Sequence, residues 1–217
     1  MNLLKRIKRT IISNQLFWRI RHLLQPGYLV IYTNKDTSNL TTYLSDFYFD
    51  SFLDFGCATG ACLYNFKKNN INSLCYGVDI NPRSLDIAKE KFRDYNQKTW
   101  EFEKQIDPVK IDSFLIKNSI NKFNITIFDR VLYCLNTDKI HQILEIITKK
   151  TDHIYIDDFE LPTSNTFTNL TINGYAHRKW NLIMNEYGFK IIKNLDSITG
   201  VVDGAYPKSM LFKSENF

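Results

Sequence analysis

The chain has 217 residues, of which 44% are hydrophobic and 24% charged, and this composition is typical of a folded globular protein rather than a disordered one. The length is enough for one α/β domain with a short appendage. No run approaches the ~20 apolar residues that cross a bilayer, and basic residues interrupt the N-terminal segment where a secretory signal needs an apolar core. The sequence therefore predicts a cytoplasmic protein.

The formal net charge of +5 is concentrated near the N-terminus. Residues 1–35 hold seven of the 28 basic residues and no acid, which leaves 21 basic and 23 acidic residues in the rest of the chain. Apolar residues recur at roughly helical spacing over residues 2–24, with basic residues between them. We therefore expect a basic helical extension over residues 1–45 and a single domain over residues 46–217.

Four interpretations of this basic extension stay open. It is a lid over the active site, a surface that contacts an anionic membrane through residues 1–24, a nucleic-acid contact, or a helix packed on the domain with solvated lysines. Nucleic acid is the least favoured ligand, because no recognised nucleic-acid motif accompanies the charge. Membrane contact would bring the protein to the inner membrane surface.

Beyond the extension, predicted strands and helices alternate. The predicted strands are Ser51–Phe55, Leu74–Ile80, Thr99–Phe102, Ile125–Phe128, Ile154–Ile156, Phe189–Leu195 and Ser209–Lys213. The predicted helices are Ala61–Asn69, one that starts at Asn81-Pro82, one capped by Asn136 or Thr137, and Tyr175–Tyr187. This alternation is typical of a doubly wound α/β fold with a mostly parallel, seven-stranded sheet. The last two strands predict an antiparallel C-terminal hairpin.

A glycine-containing turn follows the first predicted strand. Asp54 lies near the end of that strand, and Gly56 and Gly60 flank small residues that lead into a helix. Glycine permits positive φ and lets the backbone approach a ligand closely. The Asp54 carboxylate disfavours a pyrophosphate there and suits an amino-bearing ligand. A second acid, Asp79, ends the next predicted strand, and its carboxylate can accept hydrogen bonds from both hydroxyls of a vicinal diol.

The run from Asp54 to Gly60 resembles motif I of the class I S-adenosylmethionine-dependent methyltransferases, with Ala58 where that family usually has glycine. Asp79 resembles the acid with which the family holds the ribose hydroxyls. The resemblance covers roughly residues 45–217, and it implies a Rossmann-like methyltransferase fold with S-adenosyl-L-methionine as the cofactor. It implies cofactor contacts from Asp54, Gly56, Cys57, Ala58, Gly60, Asp79 and Ile80.

Further site residues follow from the same resemblance. It implies a polar or acidic group near the adenine after the third strand, for which Asp107 is the candidate and Glu103 the alternative. It also places Phe128 and Asp129 beside the methionine end of the cofactor. Asp129 is equally suited to capping the helix that follows. The Asn-Pro-Pro-Tyr-type signature of methyltransferases that act on adenine or glutamine nitrogen is missing from this sequence, which disfavours those substrates.

The candidate catalytic residues are Asp129, Tyr133 and His177. Methyl transfer from a sulfonium needs an aligned and desolvated nucleophile, and a hydroxyl nucleophile also needs a base. Histidine is suited to that role because it titrates near neutral pH, so His177 is the candidate base. Tyr133 and Tyr175 are the candidates for lining the acceptor pocket.

No metal site is predicted. The four cysteines include no C-x-x-C pair, and the histidines lack zinc-ligand spacing; Cys57 is interpreted as a small residue of the turn and not as a nucleophile. Asp157 and Asp158 end the fifth predicted strand, where alternation would turn one towards the pocket and one towards solvent. A divalent cation there would need further oxygen ligands, and the sequence identifies none.

These observations predict an S-adenosylmethionine-dependent methyltransferase that acts on a small-molecule or sugar hydroxyl, for instance of a glycan precursor. Two alternatives remain. The first is an RNA or protein methyltransferase that holds a polyanion with the basic extension. The second is a non-catalytic protein that has the cofactor-binding fold.

Overall fold

The structure is a computed structural model that describes residues 20, 40, 44, 46–162, 164, 166–172, 175–196 and 207–215. The strands are β1 (Ser51–Phe55), β2 (Leu74–Val78), β3 (Trp100–Glu103), β4 (Phe123–Asp129), β5 (Thr151–Phe159), β6 (Asn169–Ile172), β7 (Tyr175–Arg178), β8 (Phe189–Asp196) and β9 (Pro207–Ser214). The helices are α1 (Ala61–Asn69), α2 (Pro82–Phe92), α3 (Pro108–Lys117), α4 (Thr137–Ile147) and α5 (Trp180–Glu186). The predicted extension over residues 1–45 lies outside the described residues, apart from three isolated positions.

Seven strands form one sheet in the order β3-β2-β1-β4-β5-β9-β8. The β1–β2, β1–β4 and β2–β3 pairs are parallel, and the β5–β9 and β8–β9 pairs are antiparallel. The doubly wound sheet with its C-terminal hairpin confirms the predicted fold class. Because β1 has β2 on one side and β4 on the other, the strand order reverses at β1. In sheets of this kind ligands bind beyond the carboxyl end of the strands at such a reversal.

The described residues form two compact units. The first unit contains those up to Ile127, and the second contains those from Phe128 onwards. In the first unit, the predicted helix after the second strand is confirmed. Asn81 caps α2 by accepting a hydrogen bond from the Arg83 backbone, Pro82 takes the first helical position, and the predicted inner-face residues are buried. These residues are Leu85, Ala88 and Phe92.

Helix α3 was not among the predicted elements. Its N-cap is Asp107, whose carboxylate accepts hydrogen bonds from the backbones of Val109 and Lys110, and Pro108 takes the first helical position. An aspartate followed by proline is a known start signal for a helix. The buried face of the helix has helical spacing and consists of Ile111, Phe114 and Leu115.

In the second unit, α4 is confirmed with Asn136 as its cap, and its four predicted inner-face residues are buried. The predicted helix over Tyr175–Tyr187 is wrong in its first turn. Residues Tyr175–Arg178 form β7, which pairs antiparallel with β6, and α5 begins only at Trp180. The sequence between β6 and β7 is Asn-Gly, a typical hairpin dipeptide, and cross-strand pairing outweighs local helical spacing here.

Within the described ranges, no helix has both the length and the apolar character needed to cross a membrane.

Candidate functional site

The glycine turn in the first unit is held against the end of β2. The backbone N–H groups of Gly56 and Cys57 both donate to the Val78 carbonyl, at 2.7 and 3.0 Å. Gly56 and Gly60 have φ angles of 88° and 68°, which lie in the region that side-chain-bearing residues rarely adopt. The turn therefore depends on glycine at both positions, as the sequence indicates.

Tight packing beneath this turn fixes the place of Cys57. A Cβ atom on Gly77 of β2 would lie 2.4 Å from the Phe102 ring and 2.9 Å from the Cys57 sulfur. Cys57 is buried, and burial raises the pKa of its thiol well above the ordinary value. A protonated thiol packed into the core is a poor nucleophile, so Cys57 serves as a small residue of the turn.

Asp79 follows β2, and its carboxylate links the turn after β1 to the segment after β2. One carboxylate oxygen accepts the Ala58 N–H at 2.9 Å, and the other accepts the Asn81 N–H at 2.8 Å. An ionised carboxylate offers about four acceptor positions, so two remain for the hydroxyls of a bound ribose. Burial raises the pKa of Asp79, and the two backbone hydrogen bonds oppose that rise.

Ala58 has a φ of 46°, at the position where the resemblance to motif I implies glycine. A left-handed conformation costs an alanine roughly 1–2 kcal/mol. Glycine would relieve this strain, but its greater freedom in the unfolded chain would offset part of the gain. We expect Ala58→Gly to raise the free energy of unfolding by about 0.5–1 kcal/mol and to leave cofactor affinity equal or higher. Urea denaturation and calorimetric titration measure both quantities, and a destabilised variant would contradict the backbone argument.

The other predicted cofactor residues differ in how the structure presents them. Ile80 is 41% exposed beside Asp79, whereas the Phe128 side chain is fully buried, so that any contact of Phe128 with a ligand runs through its backbone. Asp54 is buried at the end of β1. Asp107 already caps α3, and Glu103 pairs with Lys110 at 2.7 Å. The turn and Asp79 are thus brought together, while both adenine candidates have other partners.

A contribution of Lys91 was not predicted. Its amine, on α2, donates to the carbonyl and hydroxyl oxygens of Thr59 at 3.3 and 3.5 Å, and burial lowers the pKa of the amine. The lysine thereby fixes the last residue before Gly60. The sequence offers no signal for this contact beyond the position of Lys91 one turn after Ala88 on the inner face.

An aromatic cluster in the second unit brings together Tyr133, Tyr175 and His177, three of the residues predicted for the acceptor side. The Tyr133 ring lies 5.4 Å from the Phe159 ring and 5.3 Å from the Tyr175 ring. The Phe159 ring in turn stacks on His177 at 5.1 Å. Phe159, which follows Asp157 and Asp158 at the end of β5, was not predicted. Asp129, the third candidate, is exposed at the end of β4.

His177 is 3% exposed, and its two ring nitrogens have different surroundings. The ring donates to the Glu160 backbone, which raises its pKa, but burial is the larger effect and the pKa lies below the ordinary value. Nε2 has no hydrogen-bond partner among the described residues, so the bond to Glu160 runs through Nδ1–H. The neutral imidazole therefore presents an unoccupied lone pair on Nε2.

The prediction that one of Asp157 and Asp158 faces solvent is wrong. Both are buried, at 5% and 0% exposure, because both faces of β5 are covered. Asp157 accepts hydrogen bonds from Arg130 at 2.5 Å and from Ser209 at 2.6 Å, and Asp158 accepts one from the Tyr133 N–H at 2.9 Å. Protein donors thus occupy both carboxylates. The part of the chain that the structure describes contains no cluster of three or more His, Cys, Asp or Glu side chains placed for a metal ion.

Burial raises the pKa of Asp158 to about 7, although backbone hydrogen bonds and the nearby Arg130 and Arg178 lower it. Because the folded state binds this proton more tightly than the unfolded state, the contribution of Asp158 to the free energy of unfolding is largest near pH 4 and falls as the pH rises to about 7. Asp158→Asn should remove that fall, which amounts to a few kcal/mol at about 1.4 kcal/mol per pKa unit. Urea denaturation between pH 4 and 8 measures it; an unchanged pH slope would contradict the assignment.

The sheet order, the glycine turn after β1 and the acid after β2 define a Rossmann-like fold of the methyltransferase type. A family model described as a methyltransferase domain matches residues 50–197. The chain therefore belongs to the class I S-adenosylmethionine-dependent methyltransferases, and its cofactor is S-adenosylmethionine. The glycine turn lets a ligand approach the backbone closely, and the remaining acceptor positions of Asp79 suit the ribose hydroxyls of this cofactor.

Solved structures share this fold at low sequence identity. Magnesium protoporphyrin IX methyltransferase (ChlM) from Synechocystis PCC 6803 with bound S-adenosylhomocysteine has a TM-score of 0.61 and 16% identity, over 97% of this chain and 99% of that chain. The methyltransferase domain of bacterial CtHen1-C has a TM-score of 0.59 and 16% identity, over 82% and 95%. A putative O-methyltransferase from Nostoc punctiforme has a TM-score of 0.59 and 12% identity, over 87% and 60%. Curated protein sequences contain no match.

Proposed function

We propose that this methyltransferase acts on a hydroxyl group of a small molecule, such as a sugar or a glycan precursor. The observation that carries the proposal is the Nε2 atom of His177, which is buried and has no partner among the described residues. A neutral imidazole that donates through Nδ1 to a backbone carbonyl is arranged to accept a proton at Nε2. A hydroxyl acceptor requires such a base, whereas a neutral thioether or tertiary amine has no proton to lose.

The proposed cofactor-binding roles rest mainly on the geometry of the first unit. Asp79 accepts hydrogen bonds from the two ribose hydroxyls, and the backbone from Gly56 to Gly60 lies against the cofactor. The Asp54 carboxylate pairs with the amino group of the methionine portion, and Ile80 supplies an exposed apolar surface for the adenine. Asp107 and Phe128 are proposed as further contacts, through the third-strand loop and the backbone after β4.

The roles of the second unit concern the acceptor. Tyr133 and Tyr175 contact the acceptor with their rings, and His177 accepts the hydroxyl proton on Nε2. The bound cofactor supplies an electrophilic methyl group on a sulfonium. The acceptor oxygen would form a bond to that carbon as the carbon–sulfur bond breaks, and the electron pair of that bond would stay on sulfur. Asp129, exposed after β4, is proposed to orient the acceptor or the methionine portion.

Two structural relatives are named for small molecules, and a third is named for methyl transfer to oxygen. These are the magnesium protoporphyrin IX methyltransferase, the pyocyanin biosynthetic protein PhzM and the putative O-methyltransferase from Nostoc punctiforme. Their low identity to this chain, between 12% and 16%, limits the likeness to the fold. The substrate class therefore depends on His177 and the aromatic cluster.

The charge of the N-terminal segment favours a second candidate, an RNA or protein methyltransferase. Seven basic residues and no acid within residues 1–35 suit a polyanion. The structural relatives also include a putative RNA methyltransferase from Pyrococcus horikoshii, at 15% identity and a TM-score of 0.55. On this hypothesis, exchanging the basic residues between positions 5 and 9 for glutamine would abolish both binding and methylation of the polyanion.

The test is methyl transfer by the full chain from cofactor labelled in its methyl group. Parallel assays contain sugars and phenols, total RNA, or a protein extract, and labelled products are identified by mass spectrometry. Label on a small-molecule oxygen supports the proposal. Label confined to RNA or protein, and lost when the basic residues 5, 6, 8 and 9 are exchanged for glutamine, would overturn it in favour of the second candidate.

A further inference from the structure

The turn that follows β4 is too short to fix its own orientation. It consists of one 3-10 turn over Leu132–Cys134, and the preceding residue, Val131, provides no side-chain cap. Within the turn, Cys134 N–H donates to the Val131 carbonyl and Leu135 N–H to the Leu132 carbonyl. Two hydrogen bonds of this kind do not hold a loop in one conformation. Tyr133, at the centre of the turn, therefore depends on groups outside it.

Two buried side chains of opposite charge supply those groups. The Asp158 carboxylate, on β5, accepts the Tyr133 N–H at 2.9 Å. The Arg178 guanidinium, on β7, donates to the Leu132 carbonyl at 3.2 Å and to the Leu135 carbonyl at 2.6 Å. Asp158 and Arg178 are 0% and 1% exposed. An acid thus binds a backbone N–H group of the turn, and a guanidinium binds two of its backbone carbonyls.

The two strands that hold the turn also carry the acceptor-side rings. Asp158 precedes Phe159 on β5, and Arg178 follows His177 on β7. The ends of β5 and β7 are joined directly, since Leu161 N–H donates to the Arg178 carbonyl at 2.9 Å and the Trp180 indole to the Phe159 carbonyl at 3.1 Å. A shift of β7 would therefore move His177 and the turn of Tyr133 together.

Packing alone gives no reason for charged groups at these positions. Burying a charged side chain costs several kcal/mol, and apolar side chains of similar volume usually stabilise a core as well or better. A planar guanidinium, however, can bind two carbonyls at a fixed angle, which neither an apolar side chain nor a lysine reproduces. The arrangement therefore lowers the free energy of unfolding relative to an apolar core but defines the orientation of the turn.

We propose that Asp158 and Arg178 are positioning residues that hold the Tyr133 turn against the β6–β7 hairpin and thereby set the geometry of the acceptor site. This inference rests on the proposed function for the role of the acceptor site. The clamp itself, meaning the hydrogen bonds from Asp158 and Arg178 to the Tyr133 turn, is a property of the described fold. On this proposal neither residue contacts the substrate. Both act through Tyr133, whose ring they place against Phe159 and Tyr175.

The test compares Arg178→Met, Arg178→Lys and the wild-type protein by amide hydrogen exchange and by steady-state kinetics with whichever acceptor is methylated. Arg178→Met should speed exchange in the peptide covering residues 131–135 and lower kcat/KM for the acceptor roughly 10- to 100-fold, the scale of a small misplacement. The Kd for S-adenosylmethionine should change less than about twofold, since the turn after β1 and Asp79 are untouched. Arg178→Lys, whose amine can reach one carbonyl, should show a smaller increase in exchange and a smaller loss of kcat/KM than Arg178→Met.

Lys67→Met is the matched control. Lys67 is also a buried cation, and it donates to the Ser73 carbonyl and the Thr99 hydroxyl at 2.5 and 2.7 Å. Its loss should lower the melting temperature without changing exchange at residues 131–135. Uniformly faster exchange in Arg178→Met, or equal losses for cofactor and acceptor, would overturn the proposal and leave Arg178 a general stabilising residue. Methylation of RNA or protein alone would refute the proposed acceptor class, while the exchange at residues 131–135 would still decide the clamp.

Discussion

Replacing His177 with glutamine should lower the rate of methyl transfer about 10²- to 10⁴-fold, the usual contribution of a general base. Glutamine fills most of the space beside Phe159 but cannot accept and release a proton near neutral pH. The affinity for S-adenosylmethionine should stay within about threefold, because the residues proposed to bind the nucleoside lie elsewhere in the chain. Single-turnover kinetics with labelled cofactor and calorimetric titration separate these two effects.

The pH dependence provides an independent check on the same residue. Burial lowers the pKa of His177, so the wild-type rate should rise with pH through a value below 6.5 and then remain level. His177→Gln should lack this acid limb. His141, which bonds the Tyr187 hydroxyl at 2.7 Å, is the matched histidine, and His141→Gln should keep both rate and limb. If His177→Gln retains the limb, or loses cofactor affinity as much as rate, His177 is not the base.

The strands and helices of the sheet were predictable because their signals are local. β1 and β2 are short apolar runs that end at glycine or an acid, and Asn81-Pro82 marks the start of α2 by cap chemistry alone. The missed elements had local signals too: Asp107-Pro108 before α3, and Asn-Gly between β6 and β7. Asp107 was interpreted as a ligand of the cofactor, and the hairpin was obscured by a helical pattern that runs through Trp180.

The cofactor side of the site was predictable because it is nearly continuous in sequence. Asp54, the glycines and Asp79 lie within 26 residues, and parallel pairing of β1 with β2 places them at one edge. The acceptor side has no such continuity. Tyr133, Phe159 and His177 meet through strand pairing and burial, and the isolation of Nε2 is a tertiary property that no spacing reveals. The burial of both Asp157 and Asp158 likewise depends on layers that cover the two faces of β5.

Asp79→Ala should weaken S-adenosylmethionine binding by at least about 1–3 kcal/mol, the range for losing hydrogen bonds to a charged group. Two losses combine in this variant. The ribose hydroxyls lose their acceptor, and the Ala58 N–H, at a positive φ, loses the carboxylate that holds it. Asp79→Asn should do little better, because its amide would place an NH₂ group against one of the two backbone N–H donors.

The pH dependence of binding follows from the direction of the Asp79 pKa. Because burial raises that pKa above its ordinary value, protonation on acidification should weaken cofactor binding at a higher pH than a solvated aspartate would. Calorimetric titration across pH 4 to 8 measures this, with Asp86→Ala, an exposed acid on α2, as the control that should match wild type. An Asp79→Ala protein with wild-type affinity would mean that the carboxylate serves only the backbone of the turn, and the ribose would have to be held by another group.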